Sequence, residues 1–137
     1  GLSLRAAAVP GGPLPALAYR VEAQGHAAVI SGTGFGDEAV VALARGASLL
    51  VHEALHRPSL HAAIEAGGED SDRLRREGEL HTSLEAAGEI AGRAGVRTLL
   101  LVRLRPPPLF AWQFEHAAGR SFAGTVRVAS DGDEFTP

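Results

Sequence analysis

No cysteine, methionine or lysine occurs among the 137 residues, and tryptophan and tyrosine occur once each. The missing cysteine excludes disulfides, thiolate metal sites and cysteine nucleophiles together, and it fits the cytoplasm as the expected compartment. No apolar run approaches the ~20 residues that a membrane helix needs, so no membrane partner is expected. The opening GLSLRAAAVP has neither the charged start nor the long apolar centre of a signal peptide. Without an initiator methionine, Gly1 is expected to be a processed end, a tag remnant or a cut, making the chain a piece of something longer. The absence of lysine makes all 13 cations arginines, set against 16 carboxylates; a net charge of −3 gives no electrostatic reason to expect a nucleic acid partner.

What is present is the composition of a globular chain: 45% apolar and 21% charged residues. Residues 1–137 are expected to form a single domain able to bury a core without staples. Alternation over residues 4–9 and 16–22 predicts two strands separated by the turn-rich PGGPLP. A buried strand follows over 27–31, reached through a Gln24-Gly25 turn. Asp37 is placed to cap a helix with Val40, Val41 and Ala44 on one face and Gly46 as its stop. Residues 48–52 form an apolar run of the kind found in strands covered on both faces.

Residues 56–80 are less regular. GGEDSDRLRREGE mixes both signs of charge with glycine breaks, which predicts a solvated loop with one helical turn around 72–77. Thr82 or Ser83 then caps a helix to about Arg93, ended by Gly95. The most apolar strand spans 98–104 and stops at Pro106-Pro107-Pro108. A helix over 110–118 and a last strand over 124–129 precede the Asp131-Gly132 turn. Strands interleaved with helices make the fold class α/β (α+β) with a layered sheet.

Several polar clusters carry little chemistry. His52, His56 and His61 have helical ligand spacing, but Pro58 and the preceding strand break such a helix, leaving loop histidines. SGTGFG looks like a phosphate-cradling turn ahead of a helix, yet it lacks the Gly-Lys-Ser/Thr ending of a P-loop and the third glycine of a dinucleotide fingerprint. Ser31 lies inside a strand without Gly-x-Ser-x-Gly spacing, so it is no nucleophile elbow.

Four stretches, in order, carry a resemblance: PLPALAYRVE, VISGTGFGDEAVVALARGASLLVHEAL, HTSLEAAGEIAGRAGVRTLLLVRLRPPP and FAGTVRVASDG. They resemble the C-terminal half of the metallo-β-lactamase fold in its ribonuclease Z and arylsulfatase-like branch. The resemblance implies half of an αββα sandwich: one mixed β-sheet with helices on one face. It also implies a two-metal site, for which the His-x-His-x-Asp-His motif of the N-terminal half is absent here. Three ligand positions of the family fall in this chain, at Gly11, Thr33 and Arg103, where a histidine, a bridging aspartate and a histidine would stand. Glycine has no side chain, threonine offers a neutral hydroxyl, and arginine is a cation without a lone pair to give.

Glu53 of the HEA stretch and His81 of the HT stretch match residues that the ribonuclease Z branch associates with proton transfer to the leaving group. In contact they would form an acid/base pair; the alternative is that His81 caps the next helix or buttresses its loop with Glu53 as partner. The resemblance thus implies no metal and no cofactor for this chain alone, with zinc or manganese as the alternative if another chain completes the site. The expected function is a binding or dimerising module, a homodimer or a complex with the missing N-terminal half. The alternative is a metal-dependent hydrolase of phosphodiester, sulfate ester or lactone-like substrates. Arg103 is expected to occupy the vacated metal position, with Glu53 or Asp37 as partner, since an unpaired buried charge costs several kcal/mol.

Overall fold

Alternating residues and one tight turn build the first half of the sheet. β1 (Leu2–Val9) pairs with β2 (Ala16–Ala23) along its whole length, Leu2 opposite Ala23 and Val9 opposite Ala16. β3 (His26–Ile30) returns antiparallel through Gln24-Gly25, both with positive φ as a two-residue hairpin of this twist requires. The computed structural model describes residues 1–10, 14–34, 37–68 and 70–136, with the backbone alone at Asp37.

The second half is parallel. After β3 come α1 (Asp37–Ala44), β4 (Leu49–Leu55), α2 (Arg57–Glu65), α3 (Ser71–Leu80), α4 (Leu84–Ala94), β5 (Thr98–Arg105), α5 (Ala111–Gly119) and β6 (Thr125–Val128). The six strands form one mixed sheet in sequence order, with β3 to β6 mutually parallel. The expected α/β architecture, a single mixed sheet with helices on one face, is present. Ser83 rather than Thr82 caps α4, its hydroxyl accepting from the Ala86 N–H.

One region departs from expectation. Residues 57–65 and 71–80 form two helices packed on each other, where a loop with a single helical turn was expected. Pro58 lies in the first turn of α2, where its missing N–H costs nothing, so it begins a helix instead of breaking one. The three histidines still do not share a helix, because His52 lies in β4 and His56 is the residue before α2.

Helices α1, α4 and α5 cover one face of the sheet. Ala18, Val29, Leu50, Leu99 and Leu101 point into that core and are fully buried. Buried Arg20 serves the same face: one guanidinium nitrogen donates to the carbonyls of Leu43 and Arg45, both at 2.8 Å, satisfying the C-terminal end of α1. The alternate positions face the other way. Leu4, Leu17, Tyr19 and Ile30 are 63%, 46%, 38% and 48% exposed, and Val51 and Val102 continue the face toward the sheet centre.

Candidate functional site

Parallel strands end together, and at the C-terminal ends of β3, β4 and β5 the chain gathers its polar side chains. The turn after β3 begins at Gly32, whose φ is +74°; a Cβ there would lie 2.5 Å from the Leu17 carbonyl oxygen. Only glycine permits that approach, so the turn sits directly on the start of β2. Glu53, near the end of β4, shares the open face with Val51, yet it is only 2% exposed. It is buried by the turn on one side and by the segment entering α4 on the other.

That segment is fastened by backbone bonds. The Leu55 N–H donates to the Thr82 carbonyl at 2.8 Å, and Leu55 bridges Ser83 like a short added strand. The Thr82 hydroxyl donates to the Gly34 carbonyl at 3.1 Å. His81 is thereby laid against Glu53, its Nδ1 2.6 Å from Oε2. The other carboxylate oxygen accepts a long bond of 3.4 Å from the Gly34 N–H. Because a carboxylate can only accept, Nδ1 carries the proton of this bond, and Nε2 is left as the remaining polar atom of the ring. Among the described residues nothing bonds it.

Arg103 lies on β5 beside this pair. Val102 stands opposite Glu53 and Arg105 opposite Leu55, so Arg103 and Leu104 together face Ala54 in a bulge. Arg103 takes a φ of +48°, a left-handed conformation that costs about 1–3 kcal/mol in a non-glycine residue. The bulge turns its guanidinium to the glycine turn, where it donates to the Thr33 hydroxyl at 3.2 Å. The expected partner Glu53 is engaged by His81 and Gly34 instead; the side chain of Asp37, like Phe35 and Gly36 of the turn, lies outside the described residues.

A cleft of about 420 Å³ opens between the start of β2 at residues 14–17, Thr33 and Gly34 of the turn, and Leu80 and His81. Its walls are apolar except for Thr33 and His81. Thr82 stood out in the sequence only as a candidate helix cap, and Leu80 not at all; Thr82 holds the turn to His81 through a bond to Gly34, 48 positions away. His52 and His56 lie apart from the cleft chemistry. His52 Nδ1 donates to its neighbour's carbonyl at 2.6 Å, and His56 meets Ser59 at 2.6 Å and the Phe114 ring.

A two-metal centre needs imidazole nitrogens and carboxylate oxygens converging on one space. Among the described residues no group of three His, Asp or Glu side chains does so. Thr33 and Arg103 are bonded to each other, and Glu53 and His81 to each other. This donor set does not fit such a centre; Gly11 lies outside the described residues.

No family model matches the chain. It is 36% identical over 135 residues to a ribonuclease Z of Mycolicibacterium paratuberculosis and 35% identical to one of Mycobacterium avium, in each case over 96% of this chain and 46% of the relative. The chain thus spans about half the length of the curated relatives it matches. A metallo-β-lactamase fold protein from Bacillus subtilis superposes with a TM-score of 0.70 at 22% identity, over 96% of this chain and 48% of that one. The short form of human tRNase Z gives a TM-score of 0.56 at 21% identity, over 75% and 36%. By sequence the chain is a relative of the ribonuclease Z proteins, and by structure it carries about half of a metallo-β-lactamase fold.

Proposed function

We propose that the chain is an interaction module: its open sheet face takes a second apolar sheet, supplied by another copy or by the missing half of the fold, and it holds no catalytic metal of its own. The observation that carries this reading is the contiguous apolar face of β1, β2 and β3, on which Leu2, Leu4, Leu17, Tyr19 and Ile30 are exposed. A monomer rarely leaves such a patch bare, and two copies related by a two-fold axis could cover it reciprocally. Small charge and absent cysteine support a cytoplasmic module without a nucleic acid partner. Among the described residues no helix is long and apolar enough to cross a membrane.

Sedimentation velocity at micromolar concentration tests the assembly. A dimer is expected for the unmodified chain and a monomer for Leu4→Asp; a stable unmodified monomer that also fails to bind a separately expressed N-terminal half would sink the proposal.

The second reading, a metal-dependent hydrolase completed by another chain, is favoured by one observation, the intact contact between Glu53 and His81. Without metal activation water keeps a pKa far above 7, a deficit that general-base help of about 10²–10⁴-fold does not restore. The chain alone should therefore leave bis-p-nitrophenyl phosphate intact with zinc or manganese added. Metal-stimulated turnover abolished by His81→Ala would establish the hydrolase instead.

A further inference from the structure

We infer that Glu115 is a stopper on the free edge of β6, holding off the β1 edge of a second copy of this chain that would otherwise extend the sheet head to tail. This goes beyond the open-face reading and does not depend on it. The six strands run in sequence order without closing, so β1 and β6 are the two edges of the sheet. The Thr125 and Ala129 amides donate to the Arg97 and Leu101 carbonyls on the β5 side, at 3.0 Å each. Alternation along the strand then turns the Val126 and Val128 amides away from β5, toward the free edge. The Val128 amide is taken, because the Glu115 carboxylate reaches over from α5 and accepts it at 3.0 Å. Nothing among the described residues accepts from the Val126 amide.

The two edges are unequal. β1 runs eight residues, and its Leu2 and Leu4 are 74% and 63% exposed. Its side-chain bonds, from Ser3 and Arg5 to Glu22, run inward to β2, and among the described residues none caps its outer edge. β6 has four residues and a carboxylate on its outer ladder. An uncapped edge is a template for another strand, and β1 is the longer and more apolar of the two. Pairing β6 of one copy with β1 of the next is a heterologous contact: every added copy leaves one free edge of each kind, so growth does not close. A groove of about 350 Å³ between α5 and β6, lined by Glu115, Phe122, Gly124 and Val126, has room for the side chains of the incoming strand. To pair there, that strand must displace Glu115 and leave its charge without the amide, in a contact that shuts out water.

Sedimentation velocity of the full chain over a range of protein concentrations, with circular dichroism to confirm folding, tests the stopper. Glu115→Ala should grow with concentration beyond the size of the parent, its association strengthened about ten- to hundredfold, as the loss of one charge-assisted bond implies. Glu115→Asp, which keeps the charge but is too short to reach the amide, should grow as well. Glu115→Gln keeps an acceptor at the same reach and should stay near the parent. Adding Val126→Pro to Glu115→Ala removes the outward N–H without touching the ladder to β5, and should restore the parent's size. Hydrogen exchange on the grown species should show new protection at Val126 and along β1. A folded Glu115→Ala or Glu115→Asp that sediments like the parent at every concentration would overturn the inference, as would growth without new protection along β1. The parent's own size, one copy or two, tests the open face alone, so the two failures are distinguishable.

Discussion

The two faces of the sheet are made by the same strands and have opposite fates. On one, Ala18, Val29, Leu50 and Leu99 are sealed under α1, α4 and α5; on the other, one residue along, Leu4, Leu17, Tyr19 and Ile30 stand in the open. Both faces are apolar, so hydrophobicity alone does not decide which is the core; the connections do. The crossovers that carry α1, α4 and α5 all pass on one side, and what they leave open is a second apolar surface, exposed among the described residues. On the open side Glu53 is a carboxylate buried because the glycine turn and the entry to α4 close over it.

Truncating each face in turn should separate them most sharply. Leu99→Ala removes a fully buried side chain and should cost about 2–5 kcal/mol in urea unfolding. Leu4→Ala on the open face should shift the stability of the monomer by no more than about 0.5 kcal/mol. Equal losses would mean that the open face is already packed. Next in size is His81→Ala, which leaves the Glu53 carboxylate buried without its short bond and should cost about 3 kcal/mol although it sits on the open side. A loss below about 1 kcal/mol would show that water replaces the imidazole there.

The smallest effect concerns the edge, where Glu22 accepts bonds from Arg20 and Arg5. The Arg20 bond above all, then the Arg5 bond, holds the Glu22 carboxyl below the usual glutamate range. A depressed folded pKa adds stability that is full above the unfolded value and is lost as pH falls through the folded one. Thermal melts from about pH 6 to about pH 3 should therefore fall slightly more steeply for the parent than for Glu22→Gln. Parallel curves would assign the pair no net effect, as for many exposed ion pairs.

Strands and turns were legible wherever a local rule decides them. Alternation marked β1 and β2, Gln24-Gly25 marked the hairpin from β2 to β3, and Gly95 marked the end of α4. The pair α2 and α3 was not, because charged residues of both signs read as solvated loop, and α3 indeed buries none of its residues. Its helical form rests on packing against α2, which no local pattern announces. Glu53 and His81 could be named from a resemblance, but their contact depends on the Leu55–Thr82 backbone bond, and the partner of Arg103 on a bulge that shifts its register.

The bonds that clasp Leu55 to Thr82 and Glu53 to His81 also close residues 56–80 into a ring, with Arg105 reaching Glu77 across it at 3.4 Å. Closing a longer ring costs only about 0.6 kcal/mol per doubling of its length. The helical hairpin inside the clasp is therefore an exchangeable cassette. Leu80 apart, which lines the cleft, its length and surface can drift or be redesigned while the stem keeps the geometry of the cleft.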